Sequence, residues 1–126
     1  MLRKKIVYID RIMVKKKYIV TGGSGFIGSH IVDKLINENH DVVVIDNNSN
    51  QRDPIINPKA TYHNLDISNP DNEKQIENIL QKSSGVFHCA ASIDVQESIK
   101  NPYKYEKNNT IGYLNILQAA VKANTK

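Results

Sequence analysis

The sequence has no tryptophan, two phenylalanines and a single cysteine, Cys89. One cysteine excludes a disulfide within the chain and fits a reducing, cytoplasmic compartment. No run of about 18 apolar residues occurs, so nothing reads as a membrane span or calls for a membrane partner. A secretory signal needs an apolar core of about seven residues. Ile6-Val7-Tyr8-Ile9 supplies only four. A transit peptide is serine-rich and poor in acids, whereas residues 1–17 hold no serine and carry Asp10. Internal repeats and low-complexity tracts are missing too.

The net charge of +4 invites a nucleic-acid partner, so its location matters. Residues 1–17 hold seven basic residues (Arg3, Lys4, Lys5, Arg11, Lys15, Lys16, Lys17) against Asp10, a surplus of six. The remainder therefore carries −2 within the total of +4. A slightly acidic folded part argues against a nucleic-acid surface. Met13 opens Met-Val-Lys-Lys-Lys-Tyr-Ile-Val-Thr-Gly-Gly, a natural entry to a first strand. Residues 1–16 thus read as a basic leader outside the fold, and 17–126 as one domain. A length of 126 residues, 40% hydrophobic and 24% charged, describes one ordinary globular domain, small for an enzyme.

Glycine is concentrated where it carries meaning. Tyr18-Ile19-Val20-Thr21 is a β-branched run suited to a strand buried on both faces. Gly22, Gly23, Gly25 and Gly28 follow, giving Gly-x-Gly-x-x-Gly from Gly23. A helical pattern of Phe26, Ile27, Ile31, Leu35 and Ile36 then begins. Strand, glycine turn and helix together form a dinucleotide fingerprint: a sharp turn, close approach to a pyrophosphate, and tight helix–strand packing. The helix N-terminus adds unpaired N–H groups and partial positive charge. A second run, Val42-Val43-Val44-Ile45, ends in Asp46, 18 residues past Gly28. A carboxylate there accepts from the adenosine ribose hydroxyls and repels the extra phosphate of NADP. Asn47-Asn48-Ser49-Asn50 is neutral and the nearest arginine is Arg52, so the cofactor reads as NAD.

Residues 50–59, with Pro54 and Pro58, read as a loop. Ala60–Leu65 is the expected third strand, closing on Asp66-Ile67. Ser68, Asn69 or Asp71 can cap a helix over about 73–82, with Ile76, Ile79 and Leu80 inward. Ser83-Ser84-Gly85 breaks it before a fourth strand, Val86–Cys89. Cys89, at the end of that apolar run, reads as a small buried hydrophobe, because no base is placed to activate it. Ala90-Ala91-Ser92 are small residues at the carboxyl end of the strand, where a ligand passes in an open parallel sheet. A short helix over Val95–Lys100 precedes Pro102, which opens a long helix to about Ala123. Tyr105, Ile111, Leu114, Leu117 and Val121 form its apolar stripe, and Gly112 marks close packing or ligand approach. Alternating strands and helices predict an α/β, Rossmann-type doubly wound parallel sheet, truncated after about four strands.

These residues, from Lys17 to Asn124, resemble one family throughout. Thr21-Gly22-Gly23-Ser24-Gly25-Phe26-Ile27-Gly28-Ser29-His30, Asp46 with its asparagines, Asp66-Ile67 and Phe87-His88-Cys89-Ala90-Ala91 are similar to the extended short-chain dehydrogenase/reductases. Glu97-Ser98-Ile99-Lys100-Asn101-Pro102, then Tyr105, Asn108-Asn109, Gly112, Asn115 and Leu117, resemble the UDP-glucose 4-epimerases among the NAD-dependent epimerases and dehydratases. The resemblance implies that Phe26 and Ile27 present amides to the pyrophosphate. It gives Asp46, Asn47, Ser49 and Asn50 the ribose, and Asp66 and Ile67 the adenine. Cys89, Ala90, Ala91 and Ser92 would line the nicotinamide side, and Asn108 would reach the cofactor from the long helix. Two positions depart from the family: Cys89 stands for a larger residue, and Tyr113 for threonine.

The resemblance also implies a UDP-sugar substrate, and a catalytic Tyr and Lys that follow the fifth strand, beyond Lys126. Tyr103 and Lys107 have the Tyr-x-x-x-Lys spacing but come before that strand, so they read as exposed helix residues, and no catalytic or metal residue is expected here. The leading expectation is the NAD-binding N-terminal part of a sugar-nucleotide epimerase, inactive alone. It could pair as a homodimer through the 102–123 helix. The alternatives are a stand-alone nucleotide-binding module, or a fragment of a sugar-nucleotide dehydratase or decarboxylase.

Overall fold

The computed structural model describes residues 14–49 and 53–125. Most of the basic leader, Met13, the 50–52 segment and Lys126 lie outside the described residues. Four strands, β1 (Lys17–Thr21), β2 (Asp41–Asp46), β3 (Thr61–Asn64) and β4 (Gly85–His88), form one parallel sheet in the order β3-β2-β1-β4. The helices are α1 (Phe26–Asn37), α2 (Glu73–Leu80), α3 (Val95–Lys100), α4 (Pro102–Glu106) and α5 (Gly112–Lys122). A 3-10 turn, Pro70–Asn72, leads into α2. Asn69 is the residue that caps this turn, its side-chain oxygen accepting from the Asp71 amide at 3.0 Å.

Successive side chains on a strand point to opposite faces, and the sheet uses both. Ile19 and Ile45 pack in one layer with Ile67, Ile76, Leu80, Ile116 and Ala119, under α2 and α5. Val20, Val42 and Val44 pack in the other with Val32 and Leu35 of α1. Each such buried aliphatic contributes about 1.5–3 kcal/mol from area removed from water. The sheet is therefore doubly wound around β1. Lys17, at the start of β1, donates from Nζ to the Ile79 and Gln81 carbonyls at 2.6 and 3.0 Å, occupying carbonyls left over at the end of α2.

Two helices show more than their apolar patterns carry. In α1 the buried residues are Gly28, Ser29, Val32 and Leu35, while Phe26 and Ile27 are 76% and 68% exposed. They start the helix at the open end of the sheet, where no layer covers them. The long helix is also divided: α4, a π-helical turn over Lys107–Ile111, then α5. Its inward face is Gly112, Ile116, Ala119 and Ala123, small apart from Ile116, and the uniformly branched Ile111, Leu114, Leu117 and Val121 face outward. Both rows have helical spacing, and size decides between them. A Cβ on Gly112 would lie 2.9 Å from Ile67 Cγ1, so only the small-residue row lets α5 come this close to the sheet.

Candidate functional site

From β1 the chain turns one way to β2 and β3, and then crosses back to place β4 on the other side. A crevice opens at such a switch point, outside the carboxyl ends of the strands. The structure has a cleft of about 640 Å³ there, floored by Gly22, Ile45, Asp46, Leu65, Asp66, His88 and Cys89.

The glycine loop divides its labour. Gly22 has φ +66°, and a Cβ on it would sit 2.6 Å from the Ala90 nitrogen of the neighbouring strand end. A Cβ on Gly28 would overlap the carbonyl oxygen of Gly22, so the first helical turn closes directly onto the loop. Gly25 differs from both. Its φ of −81° and ψ of 175° are open to any residue, yet it lines the cleft as N-cap of α1. No side chain caps that helix, and its first turn holds no acid. Uncapped amides of a 12-residue helix therefore face the cleft, beside Phe26, Ile27 and Gly28, which also line it.

Asp46 is held from two sides. Its Oδ2 accepts from the Ser24 amide at 3.0 Å and its Oδ1 from the Asn48 amide at 2.8 Å. The carboxylate is thereby tied to the glycine loop, with Asn47 and Ser49 lining the cleft next to it. Asn50 lies outside the described residues. Asp66 Oδ1 accepts from the Ser68 amide and hydroxyl at 2.8 and 2.7 Å, a local turn that orients the carboxyl beside Ile67. Cys89, Ala90, Ala91 and Asn108 complete the lining. Burial pushes the Cys89 thiol up, which fits the reading of Cys89 as a small hydrophobe.

The resemblance implies a place for Ser92 on the cleft wall; the structure instead buries it, 7% exposed, and it does not line the cleft. Asn109 grips its backbone, Oδ1 accepting from the Ser92 amide at 2.7 Å and Nδ2 donating to its carbonyl at 3.0 Å. Asn108 Nδ2 donates to the Ser92 hydroxyl at 2.8 Å. Both asparagines lie in the π-turn, whose extra residue brings two consecutive side chains onto one target. Ser92 is thus an anchor that positions the neighbouring wall.

Sequence reasoning missed Ile45, Leu65, His88 and Ile93 as cleft residues. For Ile45, Leu65 and His88 the signal was present, since each lies at or within one residue of a strand end; Ile93 lies in the loop five residues past β4, where no such signal points to it. Tyr103 is 87% exposed, and neither it nor Lys107 lines the cleft.

The donors and the empty space fit a dinucleotide: helix amides, a glycine whose torsions do not require it, and a pinned carboxylate a strand away. Residues 18–126 match the family described as NAD dependent epimerase/dehydratase. A candidate UDP-glucose 4-epimerase of Methanocaldococcus jannaschii is 45% identical over 100 residues, 79% of this chain and 32% of that protein. UDP-glucuronic acid decarboxylase 1 of Danio rerio is 32% identical over 112 residues, 89% of this chain and 26% of that one. The crystal structure of Thermotoga maritima UDP-glucose 4-epimerase with UDP-glucose is 38% identical, with a TM-score of 0.80 over 87% of this chain and 35% of that one. The Thermus thermophilus UDP-glucose 4-epimerase complex with NAD is 29% identical, with a TM-score of 0.76 over 86% of this chain and 34% of that one. The chain thus spans about a third of the length of the relatives it matches. With the fold, the glycine loop and the family match in agreement, this chain belongs to the NAD dependent epimerase/dehydratase family.

Proposed function

We propose that the cleft holds NAD, and that residues 17–126 form the cofactor-binding portion of a UDP-glucose 4-epimerase-like enzyme. One observation carries the reading: Asp46, fixed by the Ser24 and Asn48 amides, stands beside an uncapped helix N-terminus that lines the same cleft. The amides of Phe26 and Ile27 bind the pyrophosphate, and Gly25 leaves room for it. Asp46, with Asn47, Ser49 and Asn50, takes the adenosine ribose. Asp66 and Ile67 take the adenine, while Cys89, Ala90 and Ala91 line the nicotinamide side. Asn108 reaches the cofactor from the π-turn, and Ser92 acts through its anchoring of the wall. When bound, NAD supplies a hydride acceptor that can return the hydride to either face of a sugar carbon. Removing that hydride also needs a base for the neighbouring hydroxyl proton. Among the described residues no tyrosine lines the cleft, so the purified chain is inactive by itself.

Identity favours the epimerase reading, with 45% to a candidate epimerase against 32% to a decarboxylase. The decarboxylase or dehydratase fragment is the second reading, and a non-catalytic nucleotide module the third. A homodimer through the outward Leu114, Leu117 and Val121 of α5, and a cytoplasmic location, complete the proposal. Competition calorimetry of NAD against NADP tests it. NAD binds more tightly, because the 2′-phosphate meets Asp46. Tighter NADP binding, or neither nucleotide binding a folded chain, overturns it.

A further inference from the structure

A polar knot under the cleft floor joins Thr21, which is fully buried, and His88, which is half-buried and lines the cleft. Thr21 Oγ1 lies 2.7 Å from His88 Nδ1, and it accepts from the Cys89 and Ala90 amides at 3.2 and 3.3 Å. A hydroxyl offers two lone pairs and one proton. The Ala90 amide donates to Oγ1, and the Cys89 amide is shared between Oγ1 and the Thr21 carbonyl, which it reaches at 3.0 Å; both groups can only donate. The hydroxyl proton is what remains, and His88 Nδ1 is the acceptor within reach. The imidazole must therefore be unprotonated at Nδ1 and carry its hydrogen on Nε2.

We propose that Thr21 locks His88 as the neutral Nε2–H tautomer, and that this lock sets the β1–β4 floor of the cleft, making His88 a positioning residue. The same hydroxyl holds Cys89 and Ala90, two of the wall residues, against the end of β1. Gly22 meets Ala90 at the next step, so any loosening of the knot moves the glycine loop relative to the wall. A proton on Nδ1 would give Thr21 three donors and leave its own hydrogen without an acceptor. Burial already holds the His88 pKa below the ordinary imidazole value. The titratable groups around it are the Tyr113 ring from α5, with centroids 5.2 Å apart, the neighbouring Cys89 thiol, and the Asp46 and Asp66 carboxylates that share the cleft. Because the folded chain takes up this proton less readily than the unfolded one, the contribution to stability is present above the unfolded imidazole value. It is lost as pH falls from there through the lower folded value.

Long-range proton–nitrogen NMR of the whole chain, without ligand, reads the tautomer directly. The expected spectrum at neutral pH has an unprotonated Nδ1 and a protonated Nε2 for His88, with Thr21→Ser retaining this and Thr21→Val mixing the two tautomers. The affinity measurement rests on the NAD reading of the cleft, and the spectrum does not. His88→Asn, whose Oδ1 can replace Nδ1 as acceptor, should bind NAD within about threefold of the unchanged chain, whereas His88→Leu should lose about tenfold or more. NAD affinity should fall as His88 protonates on lowering the pH, and less steeply in Thr21→Val. A protonated Nδ1 in the unchanged chain overturns the proposal even if Thr21→Val does not fold. Equal NAD loss in His88→Asn and His88→Leu overturns the positioning role. Absence of NAD binding throughout, with the expected tautomer, overturns the NAD reading and leaves the lock standing.

Discussion

On the β1–β2 side of the cleft Thr21, Gly23, Ser24 and Val44 are all buried, and the polar groups there are tied to backbone. On the β4–α5 side no residue of β4 is fully buried, and Phe87 is 40% exposed. Leu114 and Leu117 stand outward there too, and Val121 is 80% exposed. The first side is a finished ligand cradle, in which a methyl group added at Gly22 or Gly28 meets backbone and one added at Gly23 meets the Val44 side chain. The second is an apolar surface of the kind that other chain covers. Substitutions on the first side should therefore act on folding or nucleotide binding, and those on the second on association.

The largest effect belongs to Gly28→Ala. The new Cβ overlaps backbone at Gly22 and cannot rotate away, so the chain should lose roughly 3 kcal/mol, measured by urea denaturation. A change below about 1 kcal/mol would mean that the loop is softer than the cradle description allows. Gly25→Val separates space for ligand from space for protein. Its torsions accept valine, so stability should stay within about 1 kcal/mol while NAD binding drops below detection by calorimetry. Equal losses of stability in Gly25→Val and Gly28→Ala would make both glycines merely structural.

Across the molecule, Leu117→Glu should leave the denaturation midpoint within about 0.5 kcal/mol of the original. It should also shift the proposed homodimer to monomer in sedimentation. Destabilisation without change of mass would move Leu117 from the interface into the core. The smallest effect is expected at Tyr103→Phe. Neither the unchanged chain nor the variant should interconvert UDP-glucose and UDP-galactose with saturating NAD. Turnover lost in the variant would make the exposed Tyr103 catalytic.

The fingerprint was legible because its residues are contiguous and their chemistry is local. A β-branched strand, glycines, a helix start and an acid at the next strand end can be found by spacing alone. Asp66 and the small residues after β4 follow from the same logic of strand ends. His88 is a strand end as well, but its importance depends on Thr21, 67 residues away. Nothing in spacing pairs a threonine on one strand with an imidazole on another. Ser92 was misplaced for a similar reason. Its small size suggests a ligand wall, while its burial comes from two asparagines in a π-turn that helical periodicity does not reveal.

The sequence by itself determined the strand–helix alternation, the dinucleotide loop and the acidic partner, because hydrophobic period and glycine placement are properties of neighbouring residues. Which face of α5 meets the sheet was decided only in three dimensions. Two rows of apolar residues share the same helical spacing, and hydrophobicity favours the larger one. Steric fit favours the other, since Gly112, Ala119 and Ala123 let the helix settle onto Ile67 and its layer while Leu114, Leu117 and Val121 are left outside. That choice depends on the distance between two packed elements, a quantity no single segment of sequence carries.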